Sequence, residues 1–237
     1  MSSDYEATLD ENFKRALELC STPTDSEYLY ELLQNGNMPE KHFAAITIES
    51  VESKEQARIL ISNLTGCDGK IREAVAYKLS ELTPRELEYF LEYPTIFADA
   101  TIDINANICR TIIVVLKNFE NDKIFVNSYL EKVSEFLTEA LEAMDGFVFR
   151  DKKYTINKQL FKIYWCLEAV NLFFKSIDED VFVQLIEKCS EIEEYTIREK
   201  VALILKNDTK SSTLLDLKDK LQNDSNYYVK NVQINNY

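Results

Sequence analysis

The side chains that most often carry catalysis or bind metals are sparse in this chain. His42 is the single histidine, and no cysteine stands at metal-ligand spacing from it. The five cysteines form no Cys-x-x-Cys pair, and the 4 glycines build no phosphate-binding loop. Zinc binding and nucleophilic catalysis both need such groups in clusters. We therefore expect no enzyme activity, no metal site and no cofactor, although two of the 41 acidic residues could meet as a general acid and base.

One short stretch combines aromatic and basic side chains and forms the candidate partner-binding site. Its members are Phe147, Phe149, Arg150, Lys152, Lys153 and Tyr154. Between Gly146 and Lys162 there are five basic residues and one acidic residue, a local charge of +4 in a chain of −14. A loop of this kind could bind an acidic peptide, a phosphate group or a stacked base. The alternative is that its rings pack onto the protein and its lysines are solvated.

The acidic balance of the chain argues against broad binding to nucleic acid or membranes. With 27 Lys and Arg against 41 Asp and Glu, the average field repels phosphate backbones and anionic lipid headgroups. The opening stretch, Met1 to Glu6, is acidic and polar where a signal peptide would be basic and then apolar. The longest aliphatic run, Ile112 to Leu116, is too short to cross a bilayer. We expect a cytoplasmic protein with reduced thiols whose partner is another protein.

Helices must position these groups, because 4 Gly and 4 Pro are too few for the turns of a β-sandwich or barrel. An apolar stripe predicts an N-terminal capping helix within residues 1–25. The stripe consists of Leu9, Phe13, Ala16, Leu17 and Cys20. A longer central helix pair is predicted within residues 122–176.

Local start and stop signals divide the region between residues 53 and 86. Ser53 and Gln56 form a capping box, which predicts that a helix starts there. We predict that Gly66 ends that region in the left-handed conformation. Thr83 and Pro84 repeat the start signal, with proline at the first helical position, so a new helix is predicted to begin at this point.

The chain is organised around an internal repeat. Most of the segment from Asp68 to Leu79 returns from Glu194 to Leu205. Aligning the copies places four aliphatic residues at one position, and we call them the register residues: Ile71, Ile108, Ile197 and Val229. The intervals between them are 37, 89 and 32 residues, so we expect the middle interval to hold two units of about 44 residues. Self-similarity of this kind within helical segments is typical of stacked helix pairs.

Polar residues accompany the register residues at fixed spacing. An Asp or Asn just ahead of a helix caps its free amides, and the aliphatic residue then starts the buried stripe. The residues of the pattern are Asp68, Ile71, Arg72, Asp103, Asn105, Ile108, Ile197, Arg198, Asp224, Asn226, Val229 and Lys230.

This pattern, Asp-x-Asn-x-x-[Val/Ile]-[Arg/Lys] followed by Ala and Leu at helical spacing, resembles the second-helix motif of HEAT repeats. The match is best from Asp224 to Lys230 and from Ile71 to Leu79. Cys109 and Lys200 depart from it, because Cys109 replaces a basic residue and Lys200 a small one.

The resemblance implies an all-α fold, an α-α superhelix (solenoid) of about six HEAT-like helix pairs covering residues 26–237. It also implies that Arg72 and Arg198 pair with acidic groups of adjoining repeats. Such repeats bury their apolar faces against their neighbours and leave a concave face for a partner.

The leading functional hypothesis is a protein-protein interaction scaffold or adaptor that binds through the concave face or the 146–154 loop. One alternative that the resemblance suggests is a HEAT-like lyase that attaches a tetrapyrrole (bilin) to proteins. A further alternative is a HEAT-type DNA glycosylase, which would need a basic concave face around Trp165. The sequence leaves the identity of the partner and the oligomeric state open.

Overall fold

The structure is a computed structural model that describes residues 11, 13–15, 17–144, 153–177, 179–207 and 211–232, with backbone alone at 153–155 and 179–180. Every regular element in these residues is a helix, so the predicted all-α class is confirmed. The chain divides into two compact units, residues 1–119 and residues 120–237.

The N-terminal unit is built from short helices. They are α1 (described helical residues within 11–21), α2 (Ser26–Asn35), α3 (Met38–Thr47), α4 (Lys54–Ser62), α5 (Gly69–Glu86), α6 (Pro94–Thr101) and α7 (Ala106–Leu116). Helix α2 packs against α3 and α4, and α6 packs against α7. Helices α3, α5 and α7 lie side by side, and we call them the second layer of this unit.

The C-terminal unit repeats the same arrangement. Its helices are α8 (Lys123–Met144), α9 (Lys153–Leu172), α10 (Glu179–Ser190), α11 (Tyr195–Ile204), α12 (Ser212–Gln222) and α13 (Tyr227–Asn231). They form the pairs α8/α9, α10/α11 and α12/α13, in which α8, α10 and α12 pack in one layer and α9, α11 and α13 in a second. Helix α9 packs on α11 as α5 packs on α7, so the 89-residue interval holds one further second-layer helix.

Apolar spacing explains why these segments fold as helices that stack. In α7, Ile108, Ile112, Val115 and Leu116 follow one another at the spacing of a single helix face, and all four are fully buried. Helix α9 also contributes to the core, because Trp165, Leu167 and Val170 are buried. No helix among the described residues is long and apolar enough to cross a membrane.

The helix start predicted at Ser53 is present, and the stop predicted at Gly66 is wrong. The Ser53 side chain accepts a hydrogen bond from the Gln56 amide at 3.2 Å. Helix α4 then ends at Asn63, whose side-chain amide donates to the Ile59 carbonyl at 2.8 Å. Gly66 does not adopt a left-handed backbone, and its carbonyl is instead an acceptor for an arginine described below.

The helix start predicted at Thr83 and Pro84 is also wrong, because α5 continues through both residues to Glu86. Thr83 is buried, and its hydroxyl donates to the Leu79 carbonyl at 2.8 Å within the helix. Proline in the last turn removes one intrahelical hydrogen bond but interrupts no further turn. The next helix, α6, starts at Pro94.

The apolar stripe predicted for the N-terminal helix is not its buried face. Among the described residues of that helix, Leu19 is buried, whereas Phe13, Leu17 and Cys20 are exposed. Leu9 and Ala16 lie outside the described residues.

Candidate functional site

The predicted 146–154 loop lies almost entirely outside the described residues. Phe147, Phe149, Arg150 and Lys152 are not described, and Lys153 and Tyr154 are described only as the first backbone residues of α9. The loop therefore stays a prediction, and the described surfaces are those of the stacked helices.

All four register residues are buried at the start of second-layer helices. The exposed fraction is 7% for Ile71 and at most 1% for Ile108, Ile197 and Val229. Three residues ahead of each stands the residue that caps its helix. The caps are Asp68, Asn105, Glu194 and Asn226.

Arg72 connects two successive second-layer helices of the N-terminal unit. Its Nε and Nη2 donate to the two carboxylate oxygens of Asp103, at 2.7 and 3.2 Å, ahead of α7. Its Nη1 donates to the carbonyls of Gly66 and Cys67, at 2.9 and 3.2 Å. Both side chains of the ion pair are only 10% exposed. The guanidinium thus holds the loop before α5 and also connects α5 to the start of α7.

Arg198 makes the same set of bonds in the C-terminal unit. Its Nε and Nη2 donate to Asp224, again at 2.7 and 3.2 Å, and its Nη1 donates to the carbonyls of Ile192 and Glu193. Asp224 also accepts from the Asn226 amide at 2.7 Å. In the Asp-x-Asn signature the Asp therefore receives the arginine of the preceding repeat, and the Asn caps the new helix.

In each pair the partner shifts the pKa of one member, Asp224 in the C-terminal unit and Arg72 in the N-terminal unit. The hydrogen bond from Arg198 lowers the pKa of the Asp224 carboxyl, and this effect outweighs burial, which would raise it. The hydrogen bond to Asp103 likewise raises the pKa of Arg72. Both pairs serve as structural contacts between repeats.

The two other register positions carry different residues after the aliphatic one. Cys109 is fully buried, and its thiol lies 3.0 Å from the Asp103 carbonyl. Burial raises the pKa of this thiol to about 12, so it is a poor nucleophile. Lys230 is exposed on α13.

Sequence reasoning missed a second set of contacts between repeats. Asn118 donates to the Thr83 hydroxyl at 2.9 Å, and Asn207 donates to the Asn171 side-chain oxygen at 3.2 Å. Both donors stand ten residues after a register residue, Ile108 in one case and Ile197 in the other. That shared spacing is visible in the sequence, but the acceptors are known only once the helices are packed.

Lys200, which departs from the HEAT pattern, contacts the neighbouring helix α9. It forms an ion pair with Glu168 of α9 and lies 4.8 Å from the ring centroid of Tyr164. Burial lowers the pKa of Lys200, but the hydrogen bonds to Glu168 and Tyr164 outweigh it and leave the pKa raised.

The candidate functional site is an apolar row across the second layer of the N-terminal unit. Tyr77 and Val114 each stand six residues after a register residue, on α5 and α7. Ile46 holds the matching place on α3, because it follows the fully buried Ala44-Ala45 as Tyr77 follows the fully buried Val75-Ala76. We call Ile46, Tyr77 and Val114 the exposed row, since they are 53%, 62% and 52% exposed.

The exposed row differs from scattered apolar surface residues. Its three members occupy one repeat position on helices that pack side by side, and the axes of packed helices are about 8–10 Å apart. Single exposed apolar residues need no explanation, whereas grouped ones mark interaction sites. Chemically the row can bury apolar side chains of another molecule.

Three other features were candidates for a binding site: a groove, a metal-ligand cluster and the ring of Trp165. A groove of about 460 Å³ between α8 and α10 is lined by Leu130, Val181 and Phe182 together with Asn127, Glu131 and Ser134. Among the described residues, no group of three or more His, Cys, Asp or Glu is placed to hold a metal ion. Trp165 is only 7% exposed and therefore presents no free ring face for a base to stack on.

The described part of the chain has an all-α helical-repeat fold built from stacked helix pairs. It is similar to the crystal structure of an engineered protein (11% identity, 90% of this chain and 94% of that chain, TM-score 0.47). It is also similar to a designed armadillo repeat protein (12% identity, 88% of this chain and 97% of that chain, TM-score 0.44). No protein-family model and no curated protein matches the chain. The repeat assignment rests on the helix pairs and on the two matching arginine-aspartate contacts.

Proposed function

We propose that this chain is a non-catalytic interaction module that binds a partner protein through the exposed row of Ile46, Tyr77 and Val114. The observation that carries the proposal is the recurrence of exposed apolar side chains at one repeat position in three successive second-layer helices.

The packing of the repeats does not account for the exposed row. The residues that hold α3, α5 and α7 together are fully buried neighbours such as Ala44, Val75 and Ile112. Fully burying an Ile, Val or Tyr side chain is worth about 1.5–3 kcal/mol. Leaving three such side chains exposed to water therefore forgoes a large hydrophobic free energy. A partner with apolar side chains would gain that free energy by burying the row.

The flanking side chains favour a folded or segmental protein partner over a small molecule. Two residues after the register residues stand Glu73 and Arg110, which carry opposite charges. A polar rim around an apolar centre is the usual anatomy of a protein interface. The row is also an open surface across three helices rather than an enclosed pocket.

The proposal is tested by comparing captured proteins between matched variants of the full chain. The row variant carries Ile46→Ser, Tyr77→Ser and Val114→Ser. The control variant carries Ile104→Ser, Ile124→Ser and Leu215→Ser, three apolar residues that are 84%, 83% and 46% exposed away from the row. We expect the wild type and the control to capture the same protein at physiological salt and the row variant to lose it.

Binding to the purified captured protein then decides the proposal. We expect the row variant to bind at least about fivefold more weakly than the control, since each interface anchor contributes more than about 1 kcal/mol. Equal affinity of the two variants would contradict the proposal. So would a concentration-dependent dimer of the chain that only the row variant loses, because a second copy would then cover the row.

We place the proposed module in the cytoplasm. All five cysteines are free thiols, and three of them, Cys109, Cys166 and Cys189, are buried. Unpaired thiols are common in reducing compartments.

A further inference from the structure

Three exposed tyrosines cluster on the C-terminal unit. Tyr195 opens α11, and Tyr227 and Tyr228 open α13, with exposed fractions of 37%, 69% and 58%. The rings of Tyr195 and Tyr228 stack with centroids 5.8 Å apart and planes 28° apart. Tyr227 meets Tyr228 edge to face at 5.7 Å and 86°. These three residues are called the tyrosine cluster.

The repeat fold does not require aromatic residues at these positions. Tyr195 and Tyr227 stand two residues before their register residues. The equivalent positions of the N-terminal unit are Gly69 and Ala106, which open α5 and α7 without any large side chain. The tyrosines therefore add a surface feature that helix stacking does not explain.

The rings are held in place before any ligand arrives. Both ring contacts lie in the distance range of favourable aromatic pairs, so each ring restricts its neighbour. Rigid aromatic side chains lose little conformational entropy on binding, which is why they are frequent at interfaces. None of the three hydroxyls hydrogen-bonds to another residue within the described parts of the chain.

The charges beside the cluster favour a cation. Glu191 and Glu193 are exposed just ahead of Tyr195, although Glu191 lies 3.7 Å from the exposed Lys220. Arg198, which lies one turn after Tyr195 on α11, is already engaged in its bidentate pair with Asp224. One exposed cation, Lys230, lies one turn after Tyr227 on α13.

The helix N-termini next to the cluster are poor anion sites, because side chains of the protein already accept from backbone amides there. The Glu194 carboxylate accepts from the Thr196 amide at 3.4 Å and from its hydroxyl at 3.2 Å. The Asn226 side chain accepts from the Tyr228 amide at 2.9 Å. These amides already have protein partners.

We propose that the tyrosine cluster is a docking surface for an arginine side chain in a basic segment of a partner protein. The planar guanidinium stacks on aromatic faces and is weakly hydrated, which suits an exposed ring cluster. The exposed Glu193 carboxylate supplies an acceptor, and the net charge of −14 supplies long-range attraction for the same segment. The tyrosine cluster belongs to the C-terminal unit and the exposed row to the N-terminal unit, and neither proposal depends on the other.

The experiment uses the full chain and three labelled peptides in a fluorescence anisotropy titration. Each peptide alternates one test residue with Gly or Ser. The test residue is arginine in the first peptide, lysine in the second and glutamate in the third. We expect the arginine peptide to bind most tightly, the lysine peptide more weakly, and the glutamate peptide not at all. Raising the salt concentration should weaken binding without reversing this order.

Matched variants assign the binding to the rings. Tyr227→Ala with Tyr228→Ala should weaken arginine-peptide binding by about fivefold or more, given about 0.5–1 kcal/mol for each exposed cation-aromatic contact. The corresponding Phe variant should retain binding, because it keeps the ring faces. Ile124→Ala, at an apolar residue that is 83% exposed in the same unit, should leave binding unchanged. Lys230→Gln should strengthen it.

Several results would overturn this assignment. They are undetectable binding of the arginine peptide, equal binding of the glutamate peptide, unchanged affinity in the double Ala variant, and equal loss in Ile124→Ala. Circular dichroism of each variant verifies that the exposed substitutions leave the helices folded. Since the exposed row is intact in the Tyr227 and Tyr228 variants, failure here leaves the proposed function standing.

Discussion

At the scale of single residues, two arginines carry the most specific contacts between repeats. Arg72 and Arg198 each use three nitrogens to bind one carboxylate and two loop carbonyls, and the distances to the carboxylates are the same in both units. Lysine offers no planar fork for this geometry. Both pairs are largely shielded from solvent, so removing one partner leaves the other without its counter-charge and its hydrogen bonds.

The first prediction concerns Arg72→Met, which keeps much of the apolar stem but removes every hydrogen bond. Asp103, whose side chain is only 10% exposed, would lose its partner, so we expect the free energy of unfolding to fall by about 3 kcal/mol in urea denaturation. Arg110→Met is the control, because Arg110 is exposed and, among the described residues, bonds only to Asn107; it should cost at most about 0.5 kcal/mol. Equal losses in the two variants would contradict the structural role of Arg72.

A second prediction concerns acid stability through Asp224. Its pKa is lower in the folded chain than the value of about 3.9 in the unfolded chain. A lowered carboxyl pKa contributes stability that is present above the unfolded value and is lost as the pH falls through the folded value. The gap in unfolding free energy between the wild type and Asp224→Asn should therefore shrink as the pH falls from about 5 to below about 3.

The measurement is urea unfolding at a series of pH values. Glu191→Gln serves as the control, because that side chain is 68% exposed and should give a small difference at every pH. A gap for Asp224→Asn that stays constant across the series would show that the Arg198 contact does not depend on the carboxylate charge.

At the scale of helices, caps and register residues were predictable, while tertiary choices were not. Ile108 and Asn105 follow local rules for a buried stripe and a cap, and both hold their predicted places. Thr83 satisfies the same local rule for a helix start, yet its hydroxyl is used inside α5 and accepts from Asn118. A residue 35 positions away decides the outcome there, and no local pattern contains that information.

The prediction at this scale concerns the cap of α7. Asn105→Ala removes the acceptor for the Asn107 amide and should cost about 1 kcal/mol in unfolding free energy. Asn105→Ser keeps a capping oxygen and should recover most of that loss. Hydrogen exchange at the first amides of α7 should rise in the Ala variant more than in the Ser variant; equal exchange in both would contradict the capping role.

At the scale of the whole molecule, the internal repeat makes the all-α helical-repeat fold readable from sequence, but the candidate site is not readable. Ile46 and Val114 fit the apolar spacing of a core, and only the packed second layer shows that they are exposed. The same is true of Tyr195 and Tyr228, whose stacking depends on two helices meeting. Periodicity identifies which residues are apolar, whereas neighbouring helices decide which of them remain free to bind.

The central claim, that the exposed row holds a partner protein, is tested most directly by site-specific photo-crosslinking in cells. A benzophenone amino acid replaces Ile46, Tyr77 or Val114 in one set of chains, and Ile104, Ile124 or Leu215 in the control set. We predict that all three row positions crosslink to the same protein and that the control positions do not. Crosslinking of that protein from both sets alike, or from the control set alone, would contradict the account.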